Sequence, residues 1–526
     1  MKKRAWKLRG MLVLSAVAMA LTLIFPQIGF LEWFAMIPMI WGAIRICEDD
    51  RTNLWTAFRS GFLTAFIFYF ILYHWLVNLY PMDFIGMSPA ASVAVIAAGW
   101  IGLPVLNAVA GGGVFLLFRL MHKSGILGRV PLLRPFAFSA LWVIFEWCTT
   151  QTWMGVPWGR LAIGQIEMKP MLGVASLFGS YAVTFLIVAV NALIAEVVHS
   201  PRRTVVCGIV AAALFVGNLG FGLIWYNSEP KAENTVKAAV LQGNIGSHEK
   251  WGNDSLNHTK TVYGDMTRAV AKEGAELVIW PETALPFVLN QSKSLRNWIS
   301  DLAEECDVTI LVGALYDDAA GREYNVLYEV TPNGAISDTV YAKRHPVPFG
   351  EYVPMREVFM TLIPPLAELS ALDDDLSAGT SSALFETKWG KIGSLICFDS
   401  IYEKLTLESV RDGAELMVLS SNDSWFYDSA AVYQHQAQAQ LRAIESGRWF
   451  LRAANTGISS IITPRGDTVE TVAPLTEGYI VETVGLTSSR TLYSYIGNLF
   501  VYFCMAFAAA LAPIGYFLKR KQDSER

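Results

Sequence analysis

Charge is scarce in this sequence. Charged residues make up 17% of its 526 residues, whereas hydrophobic residues make up 53%. Soluble globular proteins average about 25% charged residues, and the mean hydropathy of this chain is +0.37. These values exclude a wholly soluble protein and indicate that a large part of the chain lies in a membrane. The length is sufficient for two or more domains.

Basic stripes and cysteine patterns are also missing. Without a stripe of Lys and Arg or a zinc-type spacing of Cys and His, no nucleic acid is expected as a partner. The six cysteines are scattered and indicate no disulfide framework. Cys306 and Cys397 lie in polar sequence, and we expect both to be free thiols. His345 and His435 lack metal-ligand spacing, so we expect no metal and no other cofactor.

Long apolar runs, by contrast, are abundant. A helix needs about 20 residues to cross a bilayer core of about 30 Å. Eight segments are candidates for such helices: 11–25, 30–46, 59–79, 90–118, 135–149, 172–198, 204–226 and 492–518. The first follows a basic leader and resembles a signal peptide. Its apolar run continues to Phe25, where a cleaved signal would already turn polar, so we predict an uncleaved helix.

The placement of Lys and Arg predicts how these spans are oriented. Basic residues cluster at alternate ends of the spans, in 2–9, 45–59, 119–134, 202–203 and 519–521, whereas 26–31 and 78–90 contain none. Because basic residues stay on the cytoplasmic side, we expect both termini to be cytoplasmic. The long segment between the seventh and eighth spans is then outside, which is the periplasm in a bacterium with two membranes.

That long segment has a different pattern. Short β-like runs alternate with helical stretches, which predicts an α/β domain whose sheet is covered by helices. The chain thus divides into three parts. We expect a transmembrane bundle of seven spans over residues 1–228, a periplasmic domain over 233–487 and a C-terminal transmembrane helix over 492–518.

Three predicted strands of this domain end on reactive side chains. The run Ile392–Ile396 ends at Cys397, another run ends at Glu282, and a third ends at Lys343. Each alone has an ordinary explanation, since a lone cysteine packs as a small hydrophobe and Glu or Lys is common at the surface. Together they predict a nucleophile, a general base and a fixed cation in one site. A free thiol has a pKa of about 8.5 and needs such neighbours to react at neutral pH.

Sequence blocks around these residues carry a family resemblance. The blocks Trp280–Ala284, Lys343–Glu351 and Ile396–Asp399 resemble the three signature blocks of the nitrilase superfamily. More narrowly, the chain resembles the bacterial apolipoprotein N-acyltransferases. Further similar stretches are Gln242–Asn244 with Trp251, Ser421–Phe426, Arg442–Arg448, Asn455–Gly457 and Gly155–Trp158.

The resemblance implies a fold and a set of roles. The fold would be a multi-pass α-helical membrane bundle of about eight spans that carries an α-β-β-α sandwich, nitrilase-like domain. Glu282 would be the general base, Lys343 the cation that stabilises the oxyanion, and Cys397 the nucleophile. Glu351 matches the family's second glutamate, which helps to hold the lysine.

The resemblance also implies supporting residues. Trp251, Trp425 and Arg448 match residues that the family uses around its substrate, although packing or a surface ion pair would explain each equally well. Phe398 and Asp399 stand where the family commonly has Tyr-Glu. Backbone N–H groups near Phe398 would help to hold the oxyanion. Because Asp is one methylene shorter than Glu, the positioning role of Asp399 is open.

The implied reaction is acyl transfer in two steps. A phospholipid would donate an acyl chain to Cys397 as a thioester. The α-amine of diacylglyceryl-cysteine at the N-terminus of an apolipoprotein would then accept it, which is the last step of lipoprotein maturation. The expected partners are these two lipid substrates and the inner membrane, and we expect a monomer.

Two alternatives use the same residues or the same fold. A membrane-anchored amidase or nitrilase would hydrolyse a small C–N bond and release ammonia, but one anchor would suffice for it. A non-catalytic receptor could retain the fold, and its Cys397 would be inert towards thiol reagents. Separately, the segment 360–378 is too apolar for an exposed loop. We expect either a mobile arm that touches lipid or packing onto its own domain.

Overall fold

A computed structural model describes residues 2–82, 87–151, 155–228, 230–246, 250, 255–362 and 375–524. Trp251 and most of the predicted arm 360–378 therefore lie outside the described residues. The chain forms two compact units. The membrane unit comprises Met1–Val77, Val95–Ser228 and Ile496–Arg526, and the polar unit comprises Asn78–Ala94 and Glu229–Tyr495.

The membrane unit is helical because its sequence is almost wholly apolar. Its α-helices are Lys2–Ile24, Glu32–Ala35, Ile37–Glu48, Leu54–Leu72, Pro89–Lys123, Ile126–Arg129, Leu133–Cys148, Ala175–Phe178, Ser180–His199, Thr204–Tyr226 and Leu499–Ser524, of which Pro89–Lys123 begins in the polar unit. Seven helical segments of the described chain are long and apolar enough to cross a membrane. They are Trp6–Ile24, Pro26–Glu48, Leu54–Leu79, Pro89–Lys123, Ser180–His199, Pro201–Tyr226 and Leu499–Leu518.

Several of the eight predicted spans differ in detail from the structure. The span predicted at 492–518 is divided at Gly497, whose φ is +54°, into the helices Leu492–Ile496 and Leu499–Ser524. The span predicted at 135–149 is the 16-residue helix Leu133–Cys148. At 1.5 Å per residue it is roughly 24 Å long, which is shorter than a bilayer core. The span predicted at 172–198 is interrupted by Gly179, whose φ of +77° ends one helix before Ser180–His199 begins.

Two buried glutamates of the membrane unit accept hydrogen bonds from other parts of that unit. Glu146 accepts hydrogen bonds from the Leu161 N–H (3.0 Å) and the Thr184 hydroxyl (2.7 Å). Glu32 accepts one from the side-chain amide of Gln165 (2.7 Å). An unpaired polar group in hydrocarbon is costly, so these contacts hold the helices in one arrangement.

The polar unit contains twelve strands in the described chain, in two six-stranded sheets. The first sheet has the order β12-β1-β2-β3-β4-β5, and the second has the order β11-β10-β9-β8-β7-β6. The strands are β1 Asn234–Gln242, β2 Leu277–Ile279, β3 Thr309–Asp317, β4 Glu323–Val330, β5 Ile336–Ala342, β6 Phe385–Thr387, β7 Gly390–Ile396, β8 Leu416–Ser421, β9 Phe450–Ala454, β10 Ser459–Ile462, β11 Thr468–Val472 and β12 Gly478–Leu486. The α-helices are Ser255–Lys272, Lys293–Cys306, Arg356–Leu362, Glu403–Asp412, Ala430–Ser446 and Leu492–Ile496.

Alternation along the strands builds the layers. In β1, Val236, Ala238 and Val240 pack between the two sheets, whereas Ala239 and Leu241 pack on the opposite face. A strand points successive side chains to opposite faces, so both faces of β1 are buried. Helices Ser255–Lys272 and Lys293–Cys306 cover the first sheet, and Glu403–Asp412 and Ala430–Ser446 cover the second. The α-β-β-α sandwich implied by the resemblance is therefore confirmed.

Strand direction decides where the reactive residues lie. In the first sheet β2 and β3 are parallel, and β4 is antiparallel to both β3 and β5. The carboxyl ends of β2 and β5 and the start of β4 therefore share one edge. In the second sheet β7, β8 and β9 are parallel, so their carboxyl ends also share an edge.

Gly313 in β3 allows the end of β2 to pack closely against it. A Cβ atom at this position would lie 2.3 Å from the Pro281 carbonyl oxygen and 2.9 Å from the Glu282 Cα. We expect Gly313→Ala to shift this main chain and to lower the free energy of unfolding by about 1–3 kcal/mol, as overpacking does. Denaturant unfolding in detergent measures this change. The matched control is Gly246→Ala, whose new Cβ would have no neighbour within 4 Å among the residues that the structure describes. Equal stability of the two variants would contradict the prediction.

Candidate active site

A buried ammonium joins the two glutamates of the predicted site. Lys343 Nζ lies 2.8 Å from Glu282 Oε1 and 2.8 Å from Glu351 Oε2. Lys343 is only 2% exposed and Glu282 only 5%. Glu351 also accepts a hydrogen bond from the Val347 N–H (2.7 Å), which closes the loop that follows β5. The structure thus brings Glu282 together with Lys343 and Glu351, which lie in a distant part of the sequence.

Asn325 at the start of β4 completes this arrangement, and the sequence analysis missed it. Its side-chain amide donates to Glu282 Oε1 (2.8 Å) and to Glu351 Oε1 (3.1 Å). Its main-chain carbonyl accepts from the Lys343 N–H (2.8 Å). The available signal was an amide side chain directly before the buried run 326–328, where a polar group needs partners.

Cys397 lies at the carboxyl end of β7, where a 3₁₀ turn Cys397–Ile401 begins. Its φ is +49°, the left-handed region that a non-glycine residue adopts at a cost of about 1–3 kcal/mol. The thiol is half-buried, and Sγ lies 4.0 Å from the carbonyl oxygen of Asn422 at the end of β8. A strained residue at a strand end is a frequent way of presenting a nucleophile.

The charges around Cys397 define its resting state. Burial raises the pKa of the Cys397 thiol well above its usual value, and the negative charge of Glu282 raises it further, whereas Lys343 opposes both. Burial alone would lower the pKa of Lys343, but the charges of Glu282 and Glu351 raise it well above its usual value. These opposite effects favour a protonated thiol and a charged lysine at neutral pH.

Asp399 connects the nucleophile turn to the loop that carries Lys343. Its carboxylate is fully buried and accepts hydrogen bonds from the N–H groups of Ile396 (3.1 Å), Arg344 (3.2 Å) and His345 (2.8 Å). The Tyr341 hydroxyl donates a further bond (2.9 Å). Burial raises the pKa of Asp399, and Lys343 opposes this effect. Although Asp is shorter than the Glu common in the family, Asp399 thus bonds both to the turn of Cys397 and to the loop of Lys343.

Phe398 is half-buried next to the nucleophile and belongs to a small aromatic group. It packs edge-on against Tyr402, with ring centroids 5.6 Å apart. Tyr402 stacks on His345 at 4.2 Å. This group forms one wall beside the turn of Cys397.

A second buried lysine near the site was also missed. Lys250 Nζ donates to the main-chain carbonyl of Glu282 (3.1 Å) and to the hydroxyl of Thr283 (2.5 Å). Thr283 has a φ of +44°, so this contact holds a strained turn directly after Glu282. Burial lowers the pKa of Lys250 to about 8, and the charges of Glu282 and Cys397 oppose this.

One group of side chains has the spacing of a metal site. Single ligating atoms of Cys397, Asp423 and His435 all lie within 4.8 Å of one another. Both oxygens of Asp423 accept hydrogen bonds, one from Ser421 and the other from Arg452, and a ring nitrogen of His435 lies 2.9 Å from the first oxygen. A cation would have to displace these partners, so the residues fit a hydrogen-bonded network better than a metal site.

The remaining predicted residues lie in different places. Trp425 is half-buried in the turn after β8, three residues beyond Asn422. Arg448 is buried, and its guanidinium donates to the main-chain carbonyls of Ala414 (2.8 Å) and Ser489. These contacts favour the packing explanation for Arg448. Substrate contact remains a prediction for Trp425 and for Trp251.

Comparisons with known families cover most of the chain. Residues 15–193 match the family described as apolipoprotein N-acyltransferase N-terminal domain. Residues 237–492 match the family described as carbon-nitrogen hydrolase. Among solved structures, Nit3 of Saccharomyces cerevisiae, of the nitrilase superfamily, is 19% identical with a TM-score of 0.39, and the match covers 51% of this chain and 96% of Nit3.

Curated relatives match over almost their whole length. A protein of Geobacter metallireducens, named apolipoprotein N-acyltransferase, is 32% identical over 523 residues, which cover 96% of this chain and 95% of the relative. A protein of Gloeobacter violaceus with the same name is 31% identical over 100% of this chain and 96% of its own length. Both halves of the chain are matched, and these two relatives are more than 30% identical over almost the whole chain, so the chain belongs to the apolipoprotein N-acyltransferase family.

Proposed function

We propose that the protein transfers an acyl chain from a phospholipid, through a thioester on Cys397, to the N-terminal α-amine of diacylglyceryl-cysteine in an apolipoprotein. The observation that carries this proposal is the contact of the Lys343 ammonium with Glu282 and Glu351 beside the thiol. A nucleophile, a base and a fixed cation are the groups that acyl transfer requires. The relatives' name and the match to the family's N-terminal domain support lipid substrates.

The first half-reaction follows from the charges. Glu282 accepts the thiol proton, and the thiolate of Cys397 attacks the ester carbonyl of the phospholipid. Lys343 stabilises the oxyanion that forms, as do backbone N–H groups near Phe398. The tetrahedral intermediate collapses, Glu282 returns the proton to the leaving alkoxide, and lysophospholipid departs from the thioester.

The second half-reaction uses the same groups in the opposite order. The α-amine of the apolipoprotein attacks the thioester carbonyl, and Lys343 again stabilises the oxyanion. Glu282 takes a proton from the amine and returns it to the departing thiolate. An N-acylated product leaves, and the neutral thiol is restored. Asp399 holds the turn of Cys397 against the loop of Lys343 throughout, which is the role we assign to it.

The amidase alternative shares this machinery, and the carbon-nitrogen hydrolase match is consistent with it. Seven membrane-spanning segments in the described chain are more than an anchor needs, and this favours lipid substrates. The protein is a multi-pass protein of the inner membrane, with acyl transfer its activity. The expected monomer stays a prediction.

Acyl transfer requires a covalent intermediate, which can be observed directly. After incubation with a phospholipid labelled in its acyl chain, we expect hydroxylamine-sensitive label on the wild-type protein. Cys397→Ala should abolish both label and turnover because it removes the nucleophile, and Cys306→Ala serves as the control because Cys306 lies outside the site. Absence of label on the wild type, or the same label on Cys397→Ser, would exclude the mechanism, and ammonia release from small amides would favour the alternative.

The charge of Glu282 should be measurable through the reactivity of the thiol. Because this charge helps to hold the pKa of Cys397 above its usual value, thiolate forms in the wild type only at higher pH. Glu282→Gln removes the charge and leaves Lys343, so the pH midpoint of iodoacetamide alkylation should move down while acyl transfer is lost. Glu351→Gln is the control, since Glu351 contacts Lys343 rather than the thiol. An upward shift for Glu282→Gln would contradict this assignment.

We further propose that the catalytic domain is periplasmic and that both termini are cytoplasmic, as the basic residues favour. Thr339 is exposed in the polar unit, and Arg202 is exposed in a basic loop. In a chain without its native cysteines, Thr339→Cys should react with an impermeant maleimide once the outer membrane is permeabilised. Arg202→Cys should react only after the inner membrane is broken. The reverse pattern would refute the orientation.

A further inference from the structure

A polar network of buried, hydrogen-bonded side chains contacts the main chain of Cys397 and takes no part in the mechanism above. Its members are Ser400, His435, Asp423 and Arg452, each at most 1% exposed. Ser400 Oγ lies 3.1 Å from His435 Nε2, and His435 Nδ1 lies 2.9 Å from Asp423 Oδ1. Arg452 donates to the other oxygen of Asp423.

This polar network ends at the main-chain carbonyl of Cys397. The hydroxyl of Ser400 donates to the Cys397 carbonyl oxygen at 2.8 Å, and His435 Nε2 lies 3.3 Å from the same oxygen. Cys397 is the residue with a φ of +49°. A strained conformation persists only where its surroundings hold it, and these two side chains hold the peptide group that follows the strained torsion.

At the other end of the polar network, Asp423 is held by hydrogen bonds. Asp423 accepts from Ser421 (2.8 Å) as well as from Arg452. Although burial acts to raise the pKa of Asp423, the charges of Arg452 and His435 lower it below its usual value, so Asp423 remains a carboxylate. The imidazole therefore has one nitrogen against a fixed acceptor and the other against the nucleophile turn.

The polar network connects four structural elements of the polar unit. Ser400 belongs to the turn after β7, Asp423 follows β8, His435 lies in helix Ala430–Ser446 and Arg452 lies in β9. A purely structural polar group could lie anywhere in the core. This polar network ends at the carbonyl of Cys397, which indicates a role in orienting the thiol.

We propose that His435 is a positioning residue for the nucleophile. Braced by Asp423 and Arg452, it fixes Ser400 and the Cys397 carbonyl, and so directs Sγ towards Glu282 and Lys343. The inference rests on the proposed function for its consequence in turnover. Thiol reactivity tests it without any lipid substrate.

Two substitutions separate the two sides of the ring. His435→Gln can place an amide nitrogen near the position of Nε2 and keep the contact to the nucleophile turn. His435→Asn can place one near Nδ1 and keep the contact to Asp423 but not to the turn. We expect His435→Asn to lower the alkylation rate of Cys397 and the kcat of acyl transfer by about 10- to 100-fold, the effect of small misplacement, with KM within about twofold. His435→Gln should recover most of both rates.

The matched control lies one residue further along the same helix. Gln436 is buried and shares a reciprocal hydrogen bond with Ser460 (2.8 and 3.1 Å). Gln436→Leu removes a comparable buried bond that does not reach Cys397, so it should lower the melting temperature without changing the alkylation rate. If the histidine variants do not fold, Ser400→Ala removes the hydroxyl alone and should slow alkylation in the same direction.

Several results would overturn the proposal. They are wild-type alkylation in His435→Asn, equal rates in His435→Asn and His435→Gln, or an equal loss in Gln436→Leu at matched stability. A wild-type protein that forms no thioester would refute the proposed acyl transfer instead. The alkylation comparison would still decide the role of His435.

Discussion

The site depends on one buried cation between two carboxylates. Removing ions from water is costly, and a buried pair repays that cost only with close contacts and further hydrogen bonds. Lys343 has both, because Glu282 and Glu351 each lie 2.8 Å from its ammonium and Asn325 donates to both carboxylates. Removing one partner of such a pair typically costs about 3–5 kcal/mol, since the other charge remains buried. The same arrangement therefore stabilises the rim of the sheet and supplies the charge that an oxyanion needs.

The order and direction of the strands explain why these groups meet. Glu282, Lys343 and Cys397 follow β2, β5 and β7, three strands of two different sheets. Packing the sheets face to face through Ile279, Tyr341 and Ile396 aligns their edges. The core residue that precedes each reactive residue by one to three positions thus also fixes its height above the sheet. Apolar burial and catalytic geometry are in this sense properties of the same strands.

The sequence predicted the parts of this site that carry their own local signal. Cys397, Glu282 and Lys343 each end an apolar run, and a period of two is visible without a structure. Asn325, Lys250 and His435 do not end an apolar run, and their partners are distant in sequence. Asn325 belongs to a strand that runs in the opposite direction, and only the pairing of β4 with β3 and β5 brings it to this edge. For Arg448 the resemblance left a substrate role and packing open, and the bonds of its guanidinium to main-chain carbonyls favour packing.

The same limit applies to the membrane spans. Hydropathy located the apolar segments, but it could not show that Gly179 ends a helix by its positive φ. Two residues of the candidate site, Cys397 and Thr283, also have positive φ although neither is glycine. Sequence rules would place glycine there. The buried hydroxyl of Ser400 donates a hydrogen bond to Cys397, and the buried ammonium of Lys250 donates one to Thr283. At these two positions tertiary contacts therefore override the local backbone preference. The residues that make those contacts, Ser400 and Lys250, lie outside the signature blocks of the family.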